Sequence, residues 1–245
     1  VILIIVLRGY MVRHKKESDE AKMRFLINAT HEIRSPLTMI INPLNSLKMR
    51  ITDAKCRVDI ETIEQNANRL LSLVNDILDI RKIDKKQMHI KCSLTEMSGF
   101  VSGICSMFQY VAHQRNITLR FRNLDGNDVY AWVDRSNFDK VISNLLSNAL
   151  KYTPNGGFIN VRLMSDNKRL TIEVNDSGAG VPQGDEEAIF DRFYQGENAR
   201  NIDSSGSGIG RSLCKTLVTM HRGKISAHNR ADGHGAVFTV VIPLG

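Results

Sequence analysis

Cysteine is scarce in this chain, with four among 245 residues, and Cys56, Cys92, Cys105 and Cys214 stand far apart without metal-ligand spacing. That excludes a zinc module and a disulfide framework, and it fits reduced thiols in an intracellular domain. A membrane-spanning run is also missing at the amino end: "VILIIVL" has seven residues, against the ~20 that cross a bilayer. Long basic runs are absent too. The excess of 33 Lys and Arg over 26 Asp and Glu, a net charge of +7, therefore gives no stripe for direct nucleic-acid binding. With 42% apolar and 24% charged residues, the composition excludes disorder and suits one large or two small domains.

The amino-terminal run is followed by Arg8, Arg13, Lys15 and Lys16. This order reverses that of a signal peptide and matches the last turns of a transmembrane helix with its cytoplasmic flank. A hydrophobic strand is the alternative. We expect residues 1–16 to be the end of such a helix and its juxtamembrane segment.

From about Glu17 to Met49 apolar residues recur at helical spacing: Leu26, Ala29, Ile33, Leu37, Ile40, Leu44 and Leu47. His31 points about 165° from the centre of that stripe, so it faces water, with Ser35 one turn on. Pro36 removes a backbone hydrogen bond and crowds the preceding turn. After "RITDAK" the period resumes through Ile60, Ile63, Ala67, Leu70, Val74 and Ile77, widened by Leu71 and Leu78. Two amphipathic helices on a tight link make a hairpin. Alone it leaves apolar surface wet, so a second copy completing a four-helix bundle is the expected arrangement; packing on the rest of its own chain is the alternative.

Beyond Lys91 the pattern becomes mixed. A helix through "MSGFVSGICSMFQYVAHQRN" leads to strands "ITLRFRNL" and "VYAWVD", a helix at about Asn137–Tyr152, strands "GFINVRLMS" and "RLTIEVND", a helix ending at His221, and strands "KISAHN" and "AVFTVVIPL". Strands and helices do not alternate as parallel crossover units do. The expectation is an α+β layer with helices on one face of a sheet.

Three constellations carry chemistry. Asn144, Asn148 and Lys151 share one helix face, where two carboxamide oxygens can hold a hard cation and the lysine can meet phosphate. Asp176 ends a β-branched strand at "NDSGAGVP", backed by Gly178 and Gly180. There a carboxylate can accept a hydrogen bond from the exocyclic amine of adenine, although a plain turn reads the same way. In "GSGIGRSL", Gly206, Gly208 and Gly210 precede a helix, so that bare N–H groups can cradle phosphate. The polar stretch between the glycine sets, anchored by Phe190 and Phe193, reads as a lid over a nucleotide.

In order and spacing, "HEIRSPL", "NLLSNALKYT", "DSGAGVP", "FDRFYQ" and "GSGIG" resemble the H, N, first glycine, phenylalanine and second glycine boxes of bacterial sensor histidine kinases, from about Ala21 to the end. The H box wording is similar to that of hybrid sensor kinases. The resemblance implies a dimerisation and histidine-phosphotransfer hairpin over 17–90 and a catalytic ATP-binding domain over 91–245. Its fold class would be an all-α hairpin, a four-helix bundle as a dimer, followed by the α+β sandwich shared with gyrase, the Hsp90 chaperones and MutL.

The resemblance also implies roles. His31 would be the phosphoacceptor and Glu32 the acid that activates its imidazole; Asn148, with Asn144 assisting, would hold Mg²⁺. Lys151 would meet phosphate, Tyr152 would lie against adenine, and Asp176 would hold the adenine amine on a wall shaped by Gly178 and Gly180. Gly206, Gly208 and Gly210 would line the phosphates of ATP, Phe193 would belong to the nucleotide site, and Arg192 would reach the γ-phosphate. The implied activity is autophosphorylation of a homodimer followed by transfer to an aspartate of a response-regulator receiver domain. The implied setting is the cytoplasmic side of the bacterial inner membrane, below an upstream sensor domain joined through a transmembrane helix. Ser35 stands where kinases that also dephosphorylate their partner usually carry Thr or Asn, which leaves phosphatase activity open. Arg211 replaces an apolar residue, and both phosphate contact and solvation stay open for it. A non-catalytic dimeric scaffold of the same fold is the competing reading.

Overall fold

The computed structural model describes residues 33, 37–44, 47–48, 53–166, 168–194 and 208–244. Expectations for His31, Glu32, Ser35, Gly206, the amino-terminal run and most of the stretch between the glycine sets fall outside them. The chain divides into two units, with the break between Met88 and His89. Among the described residues no helix is long and apolar enough to cross a membrane.

In the first unit, residues 33, 37–44 and 47–48 are the described helical residues of α1, and Ala54–Asp84 form α2. Asp53 caps α2 by accepting from the Cys56 amide at 2.9 Å, which satisfies one of the free donors of the first turn. Leu37, Ala67 and Val74 are buried together with Ile41 against them, and Lys48 donates to Glu64 at 2.8 Å. Only part of the stripe is covered: Ile60, Ala67 and Val74 are buried, whereas Ile63 and Leu70 are each 48% exposed.

The second unit contains β1 (Ser93–Glu96), α3 (Met97–Gln114), β2 (Thr118–Asn123), β3 (Tyr130–Val133), α4 (Arg135–Tyr152), β4 (Phe158–Ser165), β5 (Arg169–Asp176), a 3₁₀ turn at Ala188–Phe190, α5 (Gly210–Met220), β6 (Lys224–Asn229) and β7 (Ala236–Pro243). Strands β2-β4-β5-β7-β6 form one sheet, and β1 pairs with β3 in a separate two-stranded ribbon. Strand β1 was not evident in the sequence because "SLTE" has a single apolar residue and takes its strand geometry from Tyr130–Val133. The β2–β4 pair is parallel, in register from Thr118 opposite Phe158 to Asn123 opposite Leu163. The remaining pairs are antiparallel.

Alternation decides which face is covered. Ile159, Val161 and Leu163 of β4, Leu170, Ile172 and Val174 of β5, and Val240 and Ile242 of β7 are buried, while the residues between them stay half-exposed or exposed. From α4, Phe138, Val141, Ile142, Leu145, Leu146 and Ala149 are buried; each large apolar side chain so covered contributes ~1.5–3 kcal/mol.

Two polar devices fix the helices. Asp134 caps α4 by accepting from the Asn137 amide at 3.1 Å, and its other oxygen accepts from Asn137 Nδ2 and the Lys91 amide. Its own amide donates to His221 Nε2 at 3.0 Å, so the other ring nitrogen donates to the Leu217 carbonyl at 2.8 Å. Burial raises the Asp134 carboxyl, but the bonds from Lys91 and Asn137 outweigh it and hold the group below its ordinary value. The second device is the helix exit: α2, α3 and α5 each end with a residue at positive φ, namely Lys86, Asn116 and Arg222. Behind these, Gln87, Ile117 and Gly223 donate back to the carbonyls of Lys82, Ala112 and Val218, the six-to-one bond of a Schellman turn.

Candidate nucleotide site

Helix α4 carries Asn144, Asn148 and Lys151 half-buried on one face. Asn148 Nδ2 donates to Asn144 Oδ1 at 2.9 Å, which leaves Asn148 Oδ1, a hard oxygen donor, without a hydrogen bond among the described residues. Among the described residues no group of three His, Cys, Asp or Glu gathers. A metal here would rest on carboxamide oxygen, water and ligand oxygens, a donor set that fits Mg²⁺. Lys151 Nζ lies 5.2 Å from the centre of the Tyr152 ring, a cation–π contact.

Asp176 closes β5 and is 3% exposed. Its Oδ1 accepts from the Gly178 amide at 2.8 Å and the Ala236 amide at 3.4 Å; Oδ2 takes no hydrogen bond among the described residues. Burial raises its carboxyl above the ordinary range, against the two amides and the nearby Arg230 guanidinium. A buried carboxylate with an uncommitted oxygen is a strong acceptor for an incoming N–H.

Glycines bring the separate parts together. A Cβ on Gly178 would lie 2.6 Å from the Tyr152 carbonyl oxygen, so the end of α4 rests directly on the Asp176 turn. A Cβ on Gly210 would lie 2.2 Å from Asn144 Nδ2, which puts the start of α5 against the asparagine pair. Gly208, at φ +68°, packs on the backbone of Phe193 and Tyr194, and its carbonyl accepts from the Phe193 amide at 3.1 Å. Phe190 is buried edge-on to Phe238 at 6.3 Å, as befits an anchor. Phe193 is half-buried at φ +63°, and Arg192 is exposed. Arg211 extends a guanidinium to the Tyr194 carbonyl at 3.5 Å.

Three residues of the wall around Asp176 escaped sequence reasoning. Gly235, at φ +102°, passes so close to Asp176 that a Cβ would meet the carbonyl oxygen at 1.9 Å. Asn229 clasps Val181, accepting from its amide at 2.6 Å and donating to its carbonyl at 2.7 Å. Arg230 donates to Asn175 Oδ1 at 2.8 Å and stacks 4.8 Å from the Phe158 ring centre. The "GHG" of the last hairpin was the available signal, but it looks like any turn. Helix α5 has no acid in its first turn and no side-chain cap from Ile209, whereas α2, α3 and α4 are capped by Asp53, Glu96 and Asp134.

Residues 21–86 match the family model described as the His Kinase A (phospho-acceptor) domain. Residues 133–245 match that of the histidine kinase-, DNA gyrase B-, and HSP90-like ATPase. The hybrid signal transduction histidine kinase D of Dictyostelium discoideum is 36% identical over 94% of this chain and 15% of its own length. The sensor histidine kinase WalK of Bacillus subtilis is 31% identical over 96% of this chain and 38% of its own. The chain thus spans well under half of these relatives. Among solved structures, full-length ShkA in complex with AMPPNP superposes with a TM-score of 0.72 at 21% identity, covering 90% of this chain and 45% of that one. The catalytic domain of histidine kinase ThkA matches at 26% identity and a TM-score of 0.56 over 63% of this chain and 99% of that one.

Proposed function

Since the chain belongs to the histidine kinases, joining a phospho-acceptor domain to an ATPase domain, we propose that it binds ATP with Mg²⁺, phosphorylates His31 and passes the phosphoryl group to an aspartate of a response-regulator receiver domain. The observation that carries this reading is the meeting of three chain-distant parts: Tyr152 on Gly178 beside buried Asp176, and Gly210 on Asn144. Together they offer one acceptor for an adenine amine and, on the adjoining helix face, oxygen and lysine groups for a metal-bound phosphate chain.

In this mechanism Asp176 Oδ2 accepts from the adenine amine, Lys151 meets phosphate, and Asn148 Oδ1, with Asn144 beside it, holds the metal. Bound magnesium supplies charge neutralisation at the phosphate oxygens. The neutral form of an imidazole keeps a lone pair on one ring nitrogen, which His31 would direct at the γ-phosphorus. The new N–P bond forms as the bond from the γ-phosphorus to the β,γ-bridging oxygen breaks, ADP leaves, and Glu32 takes the imidazole proton. Arg192 and the glycines at 206, 208 and 210 complete the phosphate end. Ser35 would orient water if the same chain also dephosphorylates its partner.

Assembly follows from uncovered surface. Ile33, Ile40 and Leu47, and likewise Ile63 and Leu70, lie seven residues apart and are 41–48% exposed. Heptad rows of this kind pair with a second copy, which supports the homodimer. The apolar run at 1–7 and its basic flank fit attachment to a membrane helix and an upstream sensor. The related ThkA has been solved in complex with a response regulator, which supports the same class of partner here.

The test is incubation with Mg²⁺ and γ-labelled ATP, with His31→Ala alongside. We expect an acid-labile, base-stable label on the parent chain and none on the variant. Nucleotide binding without label, even in a forced dimer, would overturn the kinase reading in favour of a scaffold.

A further inference from the structure

Helix α4 ends at Tyr152, and its last carbonyls have no partners within the helix. The Leu150 carbonyl, and that of Thr153 just past the helix, are reached from the exit of α3, which closes in a full Schellman turn: Asn116 at φ +53° donates to the His113 carbonyl, and Ile117 donates to that of Ala112. This turn sets Arg115 at the exit of α3, and its side chain reaches the end of α4. One guanidinium nitrogen donates to the Leu150 carbonyl, a second to the Thr153 carbonyl at 3.0 Å, and Nε to Asn155 Oδ1 at 3.2 Å. The backbone joins in, the Gly156 amide donating to the Arg115 carbonyl at 3.4 Å.

We propose that Arg115 is a positioning residue for the adenine end of the nucleotide site, bracing the last turn of α4 against the Asp176 wall. The inference rests on the nucleotide reading above. Two features of the geometry support it. The two carbonyls taken by Arg115 flank Lys151 and Tyr152, and the Tyr152 carbonyl is the atom that rests on Gly178, whose amide holds Asp176 Oδ1. A shift at the end of α4 therefore reaches the Asp176 carboxylate through two contacts. The second feature is a division of labour between cations. The negative end of α4 attracts positive charge, and its last turn carries Lys151. Because Arg115 already supplies that charge and takes the carbonyls, Lys151 is left with the Tyr152 ring as its contact among the described residues. It stays available to a phosphate.

Arg115→Met and Arg115→Lys separate positioning from mere stability when binding of ADP and of IDP is measured at least 15 °C below each protein's melting point. IDP lacks the exocyclic amine that Asp176 would accept. In the parent chain ADP should bind more tightly than IDP; absence of ADP binding there would sink the nucleotide reading itself. In Arg115→Met we expect ADP affinity to fall about tenfold, the size of one lost charge-assisted contact, and IDP affinity to fall clearly less, so the preference shrinks. Arg115→Lys, which keeps the charge and part of the bonding, should recover part of that preference, and autophosphorylation at saturating ATP should stay near the parent rate. A lower melting point with an unchanged ADP-to-IDP ratio in both variants would overturn the proposal and leave Arg115 as a structural brace only.

Discussion

The two ends of the candidate site are built differently. At the Asp176 end nearly every polar group is already engaged: Asp176 with Gly178 and Ala236, Asn229 with Val181, Arg230 with Asn175. At the asparagine end, the side chains on α4 are half-buried and share one bond, Asn148 to Asn144. They face an α5 that begins without an acidic residue or side-chain cap. A flat base is recognised by fixed, desolvated groups whose geometry carries the selectivity. A mobile, highly charged phosphate chain needs donors and hard oxygens not already committed to the protein. The difference teaches that folding fixes the polar groups of the Asp176 end, whereas those on α4 stay largely uncommitted among the described residues.

Gly235→Ala should break the comparison most severely. It forces a Cβ into the Asp176 carbonyl at a φ of +102°, a clash with backbone that cannot move cheaply. We expect a loss of about 3 kcal/mol or more, on the order of 10 °C in melting temperature, measured by thermal unfolding, with nucleotide binding lost in parallel.

Asp176→Asn should separate stability from function. Asparagine keeps an Oδ1 for both amides but presents N–H where the carboxylate offered a lone pair, so ADP affinity should fall about 10–100-fold, from ~1.5–3 kcal/mol for a hydrogen bond to a charged group. The melting temperature should hold or rise at neutral pH. The sign follows from the raised carboxyl: a folded-state pKa above the unfolded one favours folding while the group is protonated, and that contribution is lost as pH rises through the folded value. The parent should also lose ADP affinity on acidification earlier than an ordinary carboxylate would, and the variant should not. A fall in melting temperature with affinity intact would reverse the assignment.

Gly210→Ala should have the mildest effect on folding, because the three atoms nearest its Cβ all belong to the end of the Asn144 side chain. Displacing that amide disturbs the Asn148–Asn144 bond, so we expect a few-fold weakening of magnesium-dependent ATP binding and little change in metal-free ADP binding, both read by titration. Equal loss for both ligands would mean that the two ends are not separable.

The asparagine end was legible in the sequence because helical periodicity fixes which residues share a face: Asn144, Asn148 and Lys151 are neighbours wherever α4 is a helix. The Asp176 end was legible only in its centre. Asp176 and its glycines stand together in the chain, but Asn229, Arg230 and Gly235 arrive from the last hairpin, and nothing local distinguishes that hairpin from an ordinary turn. Strand β1 was hidden for the same reason, its geometry coming from pairing with β3. The helix exits at Lys86, Asn116 and Arg222 lack the glycine that usually marks them.

The sequence by itself determined the helical stripes, the alternation of the strands, the motif order and hence the family, since each depends on spacing along one segment. Only the tertiary structure decided that Gly178 carries Tyr152, that Gly210 carries Asn144 and that Arg115 closes the end of α4. Those contacts join segments far apart in the chain, and the packing of α3, α4 and α5 against the sheet brings them within bonding distance.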